Sequence, residues 1–182
     1  MKNIILTSIF LALILCSSCG NNTKKQELEL ETITINTSEK KQYTAAATEV
    51  KFNDPKVADV YQGYINLKTA LVNSDRAATA MSSSEIMTAF SNIGADEAIL
   101  TAAQAIAESE DIEQQRKAFV IITESVEKML DGAIESGVIY KQFCPMAFDF
   151  EGGFWLSNSK EIYNPYFGDK MLRCGKVDSE IK

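Results

Sequence analysis

The chain has 182 residues, 46% of them hydrophobic and 24% charged, which is ordinary globular composition and excludes a wholly disordered chain. Its 25 acids against 18 basic residues give a net charge of -7, and this speaks against nucleic acid as a partner, because phosphate binding needs a basic surface. There is no histidine, so Ser-His-Asp and Cys-His catalytic sites, HExxH zinc chemistry and imidazole metal sites are all excluded.

The chain opens with Met-Lys-Asn, an apolar run from Ile4 to Leu15, and then Cys16-Ser17-Ser18-Cys19. The run is too short for a spanning helix and fits an export signal. It resembles a bacterial lipoprotein signal, with Ser17 and Ser18 as the small residues before an acylated Cys19. Cys16 stands where Leu is more usual, and bulky Leu15 makes Cys16 itself a poor acylation site. The reading is a signal peptide over 1–18, lipidation at Cys19 and a membrane-anchored lipoprotein of the bacterial cell envelope, facing the periplasm. The bland alternative is an ordinary secretory signal cleaved nearby. Residues 19–53 read as a polar tether with a reach of roughly 30 Å. Leu28, Leu30, Ile33 and Ile35 alternate with polar residues and would suit a short edge strand.

From Asp54 the pattern becomes helical, with no proline between Pro55 and Pro145. Asp54-Pro55 is a capped start with proline at the first helical position. Val57, Val60, Tyr61, Tyr64, Leu67 and Leu71 then mark one buried face. Ser74 is the expected cap of a second helix, with Ala77, Met81, Ser84, Met87 and Phe90 inward and Gly94 as its break. Ala95 or Asp96 opens a third helix, with Ala98, Ile99, Ala102, Ala103 and Ile106 inward. Ser109 to Asp111 opens a fourth, whose acids suit the positive end of the helix dipole. Its stripe is Phe119, Ile122, Val126, Met129, Leu130 and Ala133, and Gly137 is its expected stop. Four such helices with short connections predict an up-and-down four-helix bundle. Met81, Met87 and Met129 fall on the stripes as core filler, not metal ligands.

Nine of the 16 aromatic residues lie between Val138 and Gly175. Val138 to Phe143 has strand character, Glu151-Gly152-Gly153 is a hairpin turn between Phe148-Phe150 and Phe154-Leu156, and Asn164-Pro165 marks another turn. The fold class predicted is mainly α, with a small aromatic-rich β cap at the C-terminal end of a domain spanning 54–177 and a tail over 178–182.

Cys144-Pro145-Met146 and Met171-Leu172-Arg173-Cys174 bracket the cap. A Cys-x-Met pair in extended chain points both sulfurs to one side, and Met-x-x-Cys does so on a helical turn. Two thiolates and two thioethers make a soft donor set that selects Cu(I) over Mg, Ca or Mn. Zinc would want Cys or His in place of Met. A disulfide is the simpler reading of two cysteines in an exported domain. Free thiols are the third reading.

The tail also resembles a known family. Cys144-Pro145-Met146-Ala147, Gly153, Trp155-Leu156-Ser157, Ile162, Asn164-Pro165-Tyr166-Phe167-Gly168 and Met171-Leu172-x-Cys174-Gly175 look like the signature of the bacterial envelope domain-of-unknown-function family numbered 3347. The resemblance runs from about Lys56 to Val177, the helices by texture and the tail by motif. It implies a heavy-metal context, since members occur as lone exported lipoproteins and fused to adaptor subunits of copper/silver-type efflux pumps. The Cys-Pro-Met triplet is similar to one in small heavy-metal-binding modules. Phe143 is an unusually apolar neighbour for Cys144, and no histidine stands by as an extra ligand.

The expected function is therefore an envelope lipoprotein that binds Cu(I) through Cys144, Met146, Met171 and Cys174. Its partners would be the membrane, through the lipid anchor, and metal-efflux adaptors, with a role in efflux or sensing. The alternative is a structural or interaction module stapled by a Cys144–Cys174 disulfide, in which Trp155, Tyr163, Tyr166 and Phe167 complete the core or form a docking surface. An enzyme is not expected. Glu97, Glu108, Glu110, Asp111 and Glu113 sit at or near helix starts and Asp149 and Glu151 flank a turn, where solvated carboxylates are ordinary.

Overall fold

The computed structural model describes residues 42–182. The expected signal peptide, Cys16, Cys19 and the expected tether up to residue 41 lie outside the described residues. Four substantial helices and a small C-terminal antiparallel sheet make the fold mainly helical. In chain order the elements are β1 (Lys51–Phe52), α1 (Pro55–Val72), α2 (Arg76–Ile93), α3 (Glu97–Glu108), α4 (Ile112–Met129), β2 (Ile134–Ser136), β3 (Ile139–Cys144), β4 (Gly153–Ser157) and β5 (Lys176–Ile181).

One device starts all four helices. The carboxylates of Asp54, Asp75, Asp96 and Asp111 accept from the backbone N–H groups of Lys56, Ala78, Ile99 and Glu113 at 2.8–3.0 Å. Each satisfies a donor that the first turn leaves without an intrahelical partner. Asp75, not Ser74, caps α2. Ser74 instead takes a left-handed φ of 54° in the α1–α2 turn. Gly94 ends α2 in the left-handed conformation that a Cβ disfavours. The fourth helix stops at Met129, short of the expected Gly137, because Gly132 turns the chain first at φ 68°. Gly137 has another purpose, since a Cβ there would lie 2.9 Å from the Val50 backbone beside the β1–β2 ladder.

Consecutive helices pack on one another, and α4 also packs on α1 and on β4. The α1 stripe is buried as its spacing predicts. The α2 stripe is buried only at Phe90 and, in part, Met87. Thr79, Ser83, Ile86 and Phe90 face inward, while Ala77 and Ser84 are exposed and Met81 is 65% exposed. Met81 is therefore not core filler, whereas Met87 and Met129 pack partly buried against the core. Burial of the small hydroxyls is satisfied locally: Ser83 donates to Ala103 O at 2.7 Å and Thr79 to Asp75 O at 2.6 Å. On α3, Ala98 is exposed and the rest of the predicted stripe is buried.

The cap sheet has order β4-β3-β5, all antiparallel. Phe148-Asp149-Phe150 is not a strand. These residues form a tight turn at φ 52°, 56° and 74°, and the hairpin instead joins β3 to β4. Strand β5 pairs Ile181 with Ile139, so most of the expected tail belongs to the sheet. The domain also starts earlier than Asp54. Tyr43 exchanges two backbone bonds with the Asn73 side chain, at 2.8 and 2.9 Å, and its ring lies 4.0 Å from that of Tyr163.

Two buried cations stand where the helices meet their neighbours. Arg116 on α4 donates to Pro165 O at 2.9 Å and Ser74 Oγ at 3.0 Å and pairs with Glu113 at 2.9 Å. Lys68 on α1 is just as buried, but its Nζ meets Ser157 Oγ at 3.2 Å and otherwise lies 5.9 Å from the Tyr43 ring centroid. Burial lowers its pKa from 10.5 to about 7. Among the described residues no helix is long and apolar enough to cross a membrane.

Candidate functional site

Strand β3 runs through the middle of the cap sheet and ends at Cys144, which pairs in register with Gly153 on β4. Strand alternation puts Gln142 and Cys144 on one face, where both are fully buried, and Ile139, beyond the register shift at Lys141/Gln142, is buried as well. Beyond it the chain leaves the sheet through Pro145 and Met146. On the other flank, Cys174 lies just before β5, in a turn closed by its own N–H on Met171 O at 3.0 Å. Because Phe143 pairs with Lys176, the residues flanking that pair, Cys144 and Cys174, are brought together.

The two thiols lie close enough for each to bear on the other's proton. Cys174 and Cys144 hydrogen-bond through their side chains, and both are free thiols. The Cys174 thiol is pushed up to about 11, chiefly by desolvation, then by the bond to Cys144 and the charge that Cys144 would carry. The Met146 backbone N–H pulls the other way by donating to the Cys174 sulfur. Cys174 is half-buried, Met171 is half-buried and Met146 is 38% exposed. Met171 stands at the end of a 3-10 turn over Gly168–Lys170, with φ -150°, and not within the helical turn expected of Met-x-x-Cys. Met146 likewise has left the strand, with φ -94° and ψ -7°. Neither local geometry expected to aim the thioethers, extended chain for Cys-x-Met and a helical turn for Met-x-x-Cys, is the one these residues adopt. Among the described residues no group of three or more Cys, Asp or Glu side chains converges on a metal site.

Asn164 holds the Cys174 turn. Its side chain donates to Cys174 O at 2.8 Å and accepts from Tyr166 N at 2.8 Å and Phe167 N at 3.2 Å, while its own N–H bonds Leu172 O at 2.9 Å. Arg173 stacks on Tyr163 at 4.1 Å and donates to its hydroxyl at 3.1 Å. Trp155 Nε1 donates to Gln142 Oε1 at 2.7 Å, and Gln142 in turn donates to Ser159 O and Glu161 O. Tyr166 donates to Phe154 O at 2.6 Å. Trp155 and Tyr166 are thus core residues and offer no docking surface. Phe167 packs partly buried against the same core, and Tyr163 is half-buried under Tyr43 and Arg173.

Sequence reasoning missed Lys68. A signal for it existed, since it falls on the stripe of Tyr61, Tyr64 and Leu71, where a charged residue has no exposed side to turn to.

Residues 60–136 match the model of a family described as a protein of unknown function, DUF3347. This stretch belongs to DUF3347. The DUF3347 match covers α1 from Val60 onward, then α2 to α4 and β2, and ends before β3. The tail motif that suggested the same family, with the sulfur pair inside it, lies beyond the matched residues. No curated protein and no solved structure matches the chain.

Proposed function

We propose that this protein is an envelope lipoprotein, moored through Cys19, whose cap binds Cu(I) on Cys144 and Cys174. Met146 and Met171 are the flanking thioethers. It works as a binding module and not as an enzyme, in heavy-metal efflux or sensing alongside periplasmic efflux adaptors. The helices that carry the cap form an up-and-down bundle, which the packing of each helix on the next and of α4 on α1 supports.

The observation that carries the reading is the sheet register that brings two free thiols, 30 positions apart in the chain, close to one another. Paired sulfurs with thioethers nearby in sequence suit a soft monovalent cation and offer a hard cation nothing. Binding must displace the Cys174 proton. With that thiol pushed up to about 11, affinity should rise about tenfold per pH unit through neutral pH for that proton alone.

The test is an anaerobic Cu(I) titration of the reduced chain against a chromogenic chelator, with Cys16 and Cys19 replaced by Ser. Tight binding that is lost in the Cys144→Ser/Cys174→Ser variant is expected. Equal affinity in that variant would refute the site.

The same proximity favours a second reading, a Cys144–Cys174 disulfide. Closing a loop of about 30 residues would stabilise the fold by roughly 3–4 kcal/mol in the chain-entropy account. Mass analysis of unreduced protein taken from the envelope separates the two readings, because the bridge removes two hydrogens.

A further inference from the structure

We propose that the two thiols act in a fixed order, Cys174 as the outer thiol that a soft ligand from solvent meets first and Cys144 as the inner thiol that completes the capture. The order rests on the reading of the pair as a soft-metal site only for the identity of the ligand.

The asymmetry comes from where the fold puts each residue. Cys144 ends the central strand with β4 on one side and the start of β5 on the other, and none of it is exposed. Its register partner is Gly153, and a Cβ there would lie 2.8 Å from the Tyr166 ring and 3.2 Å from the Ala147 Cβ. That side is therefore packed with carbon and gives a ligand no approach. Cys174 sits on a turn and is half-buried, so of the two residues it is the one that solvent can reach.

The exchange balances without a redox step. Cu(I) arrives held by a sulfur of a donor. Cys174 releases its proton to solvent as its S–Cu bond forms. Cys144 then releases its proton as the second S–Cu bond forms, and the donor sulfur departs and takes up a proton. Copper stays Cu(I) throughout.

Two probes test the order on the reduced full chain carrying Cys16→Ser and Cys19→Ser. N-ethylmaleimide, read by peptide mass analysis, should label Cys174 at least about tenfold faster than Cys144, and denaturant should close the gap. Cu(I) supplied as its bicinchoninate complex should lose colour about tenfold more slowly with Cys174→Ser. Cys144→Ser should lose the end point, because one thiol alone does not hold Cu(I) against the chelator. Equal or faster labelling of Cys144 in the folded chain overturns the order. So does an initial rate of colour loss that Cys174→Ser leaves unchanged. A chain that labels in the expected order yet withdraws no Cu(I) upholds the order and rejects copper as the ligand. Labelling needs no substitution in the cap, so a misfolded variant cannot obscure it.

Discussion

The four helices and the cap are held by different kinds of information. In the helices it is spread out and repeated: an Asp at every start, an apolar residue every three or four positions, and many side chains sharing each contact. In the cap it is concentrated. Asn164 alone makes three side-chain hydrogen bonds that join the Cys174 turn to the Asn-Pro turn. Gln142 alone receives the indole N–H and ties it to the loop at Ser159 and Glu161. Repetition tolerates loss, and concentration does not. The sulfur pair sits in the part of the molecule where single residues matter most.

The largest effect should come from breaking a concentrated residue. Asn164→Ala leaves the Tyr166 and Phe167 N–H groups and the Cys174 carbonyl without their partner, and should cost about 3 kcal/mol. Denaturant unfolding measures it. A loss no larger than that of a helix cap would erase the distinction between the two regions.

Next comes the junction, where Lys68 touches both α1 and β4. With its folded pKa near 7 against 10.5, the unfolded chain holds more protons between those values, so stability should rise with pH across that window. Below about pH 7 the amine is charged in both states and the full desolvation cost is in place. Lys68→Met should therefore stabilise the domain near neutral pH by about 1–3 kcal/mol and flatten its pH dependence between 7 and 10.5. Chemical denaturation at a series of pH values reads both. A destabilised variant with an unchanged slope would show that the amine has partners beyond Ser157 and the Tyr43 ring. The smallest effect belongs to the repeated device. Asp96→Ala removes one of four equivalent caps and should cost about 1 kcal/mol.

The same contrast explains what could be read in advance. Asp54-Pro55, Gly94 and Asp96 work through bonds to their own neighbours, so their effect is written locally, and the helix boundaries there follow. The α2 face was misjudged because its sequence is mostly small residues. Hydrophobicity ranks Met81 above Ser83, but a serine that can reach the Ala103 carbonyl loses little by going inside. The turn at Phe148 to Phe150 carries no glycine to announce its left-handed backbone, so it passed for a strand. Cys144 and Cys174 are set near one another by the register of Phe143 with Lys176, a long-range pairing that no local spacing writes into the sequence. The setting of Met146 and Met171 is not legible either, because each stands just where regular structure ends and spacing rules lapse.

The cap also contains its own optical reporter. Trp155 is the one tryptophan in the chain, and it is wholly buried. It crowds Gly175, the residue after Cys174, so closely that a Cβ there would meet the indole at 2.8 Å. Indole emission is thus free of contributions from the helices. Reduction, bridging or heavy-atom loading at the neighbouring sulfurs can be followed by fluorescence alone, in unlabelled protein.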